Sequence, residues 1–228
     1  MHPETIGELV RQYRADVGIA LDGDADRVLF ADSDGTTVDG DRILAMCAMD
    51  YMDRGKLAKD TLVVTAMSNL GLHEAMKAHG IAVEVTDVGD RYVIDRMRAN
   101  GYNLGGEKSG HLVFMDYATT GDGILSALQV LKLMKQKDAT VRQLADCMTE
   151  FPQRLVSIHV REKRPLETLP TVPGVIADCE EAFGDDGRVL VRYSGTESKV
   201  RLLVEARKAA AVEHWLRELT EAVRKDLG

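Results

Sequence analysis

Residues 61–85 read TLVVTAMSNLGLHEAMKAHGIAVEV, and their periodicity decides the fold class. Thr61–Ala66 is an apolar, β-branched run of strand length. Gly71–His79 then sets Leu72, Ala75 and Met76 on one helical face and stops at Gly80. Ile81–Val85 is a second strand. Strand–helix–strand with short loops is the right-handed crossover of an α/β protein. Downstream the pattern continues with a helix through Tyr92–Ala99. Short strands at Asn103–Gly105 and Leu112–Met115 follow, around a glycine-rich loop. Ile124–Lys135 and Val141–Met148 are helices. Upstream, helix Asp41–Met52 carries Ile43, Leu44, Met46, Cys47 and Met49 at helical spacing. Before it, Val28–Ala31 and Thr36–Val38 flank the turn Asp32-Ser33-Asp34-Gly35 as a hairpin. A short helix at Ile6–Tyr13 and a buried strand at Val17–Leu21 come first.

A boundary is expected at Thr149–Gln153, where the pattern changes. Arg154–Arg161 reads as a strand, the three-proline stretch Lys163–Gly174 as a loop, and Val175–Phe183 as a helix. Strands Val189–Tyr193 and Lys199–Ala206 and a closing helix Ala209–Lys225 complete the β-α-β-β-α order of a small α+β domain. Segment 1–38 is too short to be a domain of its own and reads as the tail end of something longer.

The 228 residues are 45% apolar, enough for a sizeable core. Lysine and arginine number 29 against 37 aspartates and glutamates, so the formal charge is 29 − 37 = −8. That balance argues against general nucleic-acid or membrane-surface binding. Aromatics at 5% offer few stacking surfaces. No apolar run reaches the ~18 residues of a membrane span. Glu4 and Glu8 make the first ten residues unlike a signal peptide. Cys47, Cys147 and Cys179 form no zinc pattern and suit a reducing cytosol, so a cytoplasmic location is expected.

Three stretches carry chemistry. Asp22-Gly23-Asp24-Ala25-Asp26-Arg27 follows an apolar strand. In an extended segment its three carboxylates fall on one side, where they repel unless a cation sits among them. Oxygen ligands at that density favour Mg²⁺. An EF-hand is excluded, because its sixth and twelfth positions hold Arg27 and Ser33. A haloacid-dehalogenase-type phosphatase would use Asp22 and Asp24, but no later strand ends in the paired acids it needs. In Gly105-Gly106-Glu107-Lys108-Ser109-Gly110-His111, glycines allow close approach of a ligand. Glu107 and Ser109 suit polyol hydroxyls, and Lys108 or His111 suit charge. Arg192-Tyr193-Ser194-Gly195-Thr196-Glu197, with Arg201, combines guanidinium groups, hydroxyls and turn N–H donors as a phosphate cradle. The competing reading there is a hairpin with cross-strand Arg–Glu pairs.

Together these motifs resemble the α-D-phosphohexomutase superfamily, whose D-G-D-[GA]-D-R, G-G-E-[QK]-S-G-H and R-x-S-G-T-E loops they match. The resemblance runs essentially end to end and includes Met67–Leu72. Val88–Val93 and Asp116–Gly123 favour its glucosamine branch. The alternatives are the mannose/glucose branch and a truncation that binds sugar phosphate without catalysis. The resemblance implies an α/β fold with a C-terminal part of domain 2 at 1–38, bearing the metal loop. A βαβ domain 3 at 39–150 would bear the sugar loop. A TATA-binding-protein-like α+β domain 4 at 151–228 would bear the phosphate loop. It implies an isomerase that interconverts glucosamine 6-phosphate and glucosamine 1-phosphate through a phosphoserine and a 1,6-bisphosphate. That serine belongs to a domain 1 loop of T-A-S-H-N-P type, and no Ser-His dipeptide occurs here. The chain by itself is therefore expected to be inactive. By resemblance, Asp22, Asp24 and Asp26 hold Mg²⁺ and Arg27 is catalytic beside the phosphoserine. Glu107, Ser109, His111 and Arg91 bind substrate. Arg192, Ser194, Gly195, Thr196 and Arg201 bind the phosphate not being transferred. The expected partners are a hexosamine phosphate and the N-terminal domains of the parent enzyme, with self-association left open and neither nucleic acid nor membrane.

Overall fold

The computed structural model describes residues 3–228. The chain divides into two units between Thr149 and Glu150. In the first, helix α1 (Pro3–Tyr13) packs on an antiparallel sheet of β1 (Gly18–Leu21), β2 (Val28–Ala31) and β3 (Thr37–Val38), in that order. The β2–β3 turn is closed by the Asp32 carboxylate, which accepts the Asp34 and Thr36 N–H groups at 3.0 and 2.8 Å. Short polar side chains that bond their own backbone in this way favour turns.

Helix α2 (Gly40–Asp53) follows, and Asp39 caps it by accepting the Arg42 N–H. Next come β4 (Thr61–Thr65), α3 (Leu70–Ala78), β5 (Ala82–Thr86) and α4 (Asp90–Asn100). β6 (Leu104–Gly106), β7 (Leu112–Phe114), α5 (Gly123–Lys137) and α6 (Val141–Ala145) complete the unit. The sheet order is β5-β4-β6-β7, with β4 parallel to both β5 and β6 and β7 antiparallel to β6. The crossover expected from residues 61–85 is present. The antiparallel edge arises because the loop between β6 and β7 is too short for the helical crossover that a parallel neighbour needs. Phe30, Ile43, Leu44, Leu62, Leu72, Met76, Leu104, Leu112 and Phe114 form a core from which water is excluded. Burying each large apolar side chain contributes roughly 1.5–3 kcal/mol.

The second unit runs β8 (Gln153–His159), α7 (Val172–Phe183), β9 (Gly187–Tyr193), β10 (Lys199–Ala206) and α8 (Ala209–Leu227). Its sheet is antiparallel in the order β8-β10-β9. Val200, Leu202 and Val204 of the central strand join Cys179, Leu219 and Val223 of the helices in a second core. One element departs from expectation. Helix α7 begins at Val172, inside the stretch read as a loop, with Pro173 in its first turn. A proline costs little there, because its missing N–H would have no helical partner anyway. The Asp226 carboxylate, 54 residues on, accepts the Thr171 and Val172 N–H groups at 2.8 and 3.0 Å. Among the described residues no helix is long and apolar enough to cross a membrane.

Candidate functional site

The acidic loop links β1 to β2, and it is not extended. Ala25 adopts a left-handed conformation with φ of 60°. Its N–H reaches the Asp22 carbonyl at 3.3 Å, and its carbonyl accepts the Gly123 N–H at 2.9 Å. The turn, rather than strand alternation, brings one oxygen of each of Asp22, Asp24 and Asp26 within 4.8 Å of the others. Asp22 also accepts the Arg27 backbone N–H at 3.2 Å, and the Arg27 Nε lies 3.7 Å from Asp22 and 3.8 Å from Asp26. Burial works against the Asp22 charge, yet its carboxyl is held below the usual range by the Arg27 N–H, by Asp26 and by the Arg27 guanidinium.

These residues fit a metal ion. Three carboxylates converge with one guanidinium beside two of them, and Asp26 Oδ1 is buried without a hydrogen-bond donor. Oxygens bound at ~2.1 Å to one Mg²⁺ lie at most ~4.2 Å apart, which a small side-chain rotation would reach from the observed spacing.

The glycine-rich loop joins β6 to β7 and is a tight turn. The Glu107 N–H bonds the His111 carbonyl at 2.9 Å, and the Gly110 N–H bonds the Glu107 carbonyl at 3.0 Å. The Glu107 carboxylate accepts the Gly89 N–H at 3.0 Å on one oxygen and the Ser109 hydroxyl at 3.3 Å on the other. Gly89 precedes α4, so Glu107 ties the start of that helix to the loop. Arg91, one residue into α4, is open to solvent and pairs with Asp95 at 3.5 Å. Beside Gly89 opens a cleft of about 510 Å³ lined by Thr86, Asp87, Tyr92 and Arg96.

His111, read from sequence as a substrate contact, is only 2% exposed. Its ring lies against the Gly121 backbone, and its Nδ1 is 3.1 Å from Asp26 Oδ2. Interior packing has turned it towards the acidic loop. The two loops are joined further by an antiparallel bridge between Arg27 and His111 and by the Val28 N–H, which bonds the Gly110 carbonyl at 3.0 Å. Gly110 has φ of 95°, and a Cβ there would collide with the Val28 carbonyl. Glycine is what permits this approach.

In the second unit the expected phosphate residues surround the β9–β10 turn. Arg192 and Arg201 stand directly opposite each other across the two strands. Like charges in register repel. Burial, and then Arg201, hold the Arg192 guanidinium below its usual range. An anion would relieve that repulsion. At the turn Glu197 pairs with Lys199 at 2.5 Å, and chiefly that bond lowers its carboxyl, while a cross-strand Arg–Glu pair forms at the other end of the hairpin, between Arg188 and Glu205 at 2.8 Å. Gly195 and Thr196 are exposed at the tip. Ser194 is 2% exposed, so it serves the turn through its backbone. Its N–H bonds the Lys199 carbonyl at 2.8 Å, and its carbonyl accepts the Lys163 ammonium at 2.6 Å.

Sequence reasoning missed Gly89, Lys163 and the aspartates that meet Lys108. Asp39-Gly40-Asp41 before a helical run was a legible capping signal for Asp39. Nothing local marked the other two. Burial pushes Cys47 and Cys179 up to about 12 and Cys147 up to about 11.

Comparison with known proteins places the chain in a family. Residues 39–151 match the phosphoglucomutase/phosphomannomutase alpha/beta/alpha domain III, and 155–222 match the C-terminal domain of the same family. Over all 228 residues the chain is 50% identical to the phosphoglucosamine mutases of Geobacter metallireducens and Geotalea uraniireducens, and it covers 51% and 50% of them. It thus spans about half the length of the curated relatives it matches. An N-acetylphosphoglucosamine mutase of Aspergillus fumigatus, solved with GlcNAc-6P and magnesium, superposes with a TM-score of 0.77 at 24% identity, over 97% of this chain and 53% of that one. A phosphoglucomutase/phosphomannomutase family protein of Burkholderia thailandensis gives 0.77 at 22% identity, over 99% and 50%. Those two likenesses speak to fold alone. With two successive domains of one family matched along it and that fold reproduced, the chain belongs to the phosphoglucomutase/phosphomannomutase family of phosphohexomutases.

Proposed function

We propose that this chain supplies the metal, sugar and distal-phosphate sites of a phosphoglucosamine mutase, which interconverts glucosamine 6-phosphate and glucosamine 1-phosphate. The observation that carries the reading is the acidic loop. Its three carboxylates converge, one oxygen is orphaned, and the loop is bonded directly to the loop bearing Glu107 and Ser109. The glucosamine preference rests on the 50% identity to enzymes of that name. Residues 1–38 would be the end of domain 2, 39–150 domain 3 and 151–228 domain 4. The three cysteines would remain reduced in a cytoplasmic enzyme.

Asp22, Asp24 and Asp26 would hold Mg²⁺. When bound, the ion would neutralise charge on the phosphoryl group in transfer. Arg27, anchored by Asp22 and Asp26, presents a guanidinium to the same group. Glu107 and Ser109 accept and donate hydrogen bonds to sugar hydroxyls, and Arg91 is exposed for a second contact. Arg192 and Arg201, with the Gly195 and Thr196 N–H groups, hold the phosphate that is not moving. The superfamily's phosphoserine has no counterpart among these residues.

The test is NMR titration of the chain with Mg²⁺ and glucosamine 6-phosphate, with mannose 6-phosphate in parallel. The amides of 107–109 and 195–196 are expected to shift, more with the glucosamine ester. A stronger response to mannose 6-phosphate would move the chain to the other branch. Silence of both loops would overturn the reading.

A further inference from the structure

Lys108 lies between the two residues offered to the sugar, yet the structure turns it inward. Its ammonium is 3.3 Å from Asp39 Oδ2 and 3.8 Å from Asp41 Oδ2. Both acids belong to the start of α2, and the Asp41 side chain is 1% exposed. The backbone makes the same junction, because the Gly40 N–H bonds the Lys108 carbonyl at 3.1 Å. A Cβ on Gly40 would collide with the Glu107 carbonyl and lie 2.9 Å from Gly110 N. Asp41 also reaches the other way, since its Oδ2 accepts the Asn69 N–H at 2.8 Å, and Asn69 caps α3. One acid thus meets both the loop and the turn that leaves β4.

We propose that Lys108 is a positioning residue: the Asp39-Gly40-Asp41 turn takes its ammonium and so holds Glu107 and Ser109 in line for a hexosamine's hydroxyls. The inference rests on the sugar-loop reading above. Its competitor is a Lys108 that swings out and binds the substrate phosphate as a point charge. The two differ in what Asp39 does. A positioning lysine needs its acid, whereas a phosphate-binding lysine is hindered by it.

The closing experiment is a double-mutant cycle on the full chain, with Lys108→Met, Asp39→Asn and their combination. Asparagine retains the helix cap, so Asp39→Asn removes charge with little effect on α2. Two measurements are made. One is glucosamine 6-phosphate affinity. The other, without ligand, is hydrogen exchange at the Glu107 and Gly110 amides, with Leu62–Val64 as internal reference. Each single variant is expected to weaken binding about ten-fold and to speed loop exchange alike, and the pair to lose no more than either alone, the mark of coupled residues. Lys108→Arg should restore both. Weaker binding with Lys108→Met but not with Asp39→Asn would overturn the proposal in favour of phosphate contact. Unchanged loop exchange in Lys108→Met, or equal acceleration at Leu62–Val64, would overturn it as well. If the unmodified chain binds no hexosamine phosphate, the function reading fails, and loop exchange alone then decides the role of Lys108.

Discussion

Replacing Gly110 with alanine tests the junction between the acidic and sugar loops. At φ of 95° the backbone is outside the range that suits an L side chain, and the new Cβ would stand 3.0 Å from the Val28 carbonyl carbon and closer still to its oxygen. The left-handed region costs a non-glycine residue about 1–2 kcal/mol. Relieving the clash breaks the Val28–Gly110 hydrogen bond and strains the Gly110–Glu107 turn, at about 0.5–1.5 kcal/mol each. The reduced freedom of the unfolded chain returns about 0.4–1 kcal/mol. The net loss is about 1–4.5 kcal/mol, read by urea unfolding of the first unit through the NMR signals of Val28 and Leu62–Val64. Mg²⁺ binding should weaken in the same variant, since Val28 opens β2 directly after Asp26 and Arg27 of the acidic loop. A loss below about 1 kcal/mol, with Mg²⁺ affinity intact, would refute the claim that the loops are locked by this contact.

Four further outcomes follow from the same geometry. Mg²⁺ should bind the chain only weakly, because such sites lean on substrate phosphate as well as carboxylates; calorimetry should show affinity poorer than micromolar, weakened again in Asp24→Asn. Ala25→Gly should stabilise the first unit by about 0.5–1 kcal/mol, as glycine accepts the left-handed turn at less cost; a thermal melt no higher than the parent's would count against the turn. Arg192→Ala should cost phosphate binding about 1.5–3 kcal/mol by titration, whereas Arg207→Ala, whose guanidinium instead pairs with Asp186 and stacks on Phe151, should leave phosphate affinity unchanged. Asp41, raised from 3.8 to about 7 first by burial and then by Asp39, against the pull of Lys108, Asn69 and Ser68, binds its proton more tightly folded than unfolded. Its contribution to stability therefore falls as pH rises from about 4 to about 7, by at most about 4 kcal/mol, and the difference in urea stability between parent and Asp41→Asn should show that slope.

The long periodic elements were legible in the sequence because each buries one stripe. Thr61–Thr65 and its crossover helix α3 announce themselves through Leu62, Val64, Leu72 and Met76. The start of α7 was hidden, because its N–H groups are satisfied by Asp226 from another helix. The site divides in the same way. Residue types and spacing disclosed the three loops. They did not disclose that an alanine bends the acidic loop, that His111 faces inward, or that Lys108 is held by α2. Each of those depends on a partner that sequence order does not place nearby.

The seam between Arg27–Val28 and Gly110–His111 has a bearing on how this scaffold tolerates changes of length. Asp26 and His111 meet across 85 positions, and the bridge beside them fixes which residue faces which. A residue inserted in either loop would slide the other out of register. Transplanting the acidic loop or the sugar loop singly into a relative would thus fail where transplanting both together succeeds.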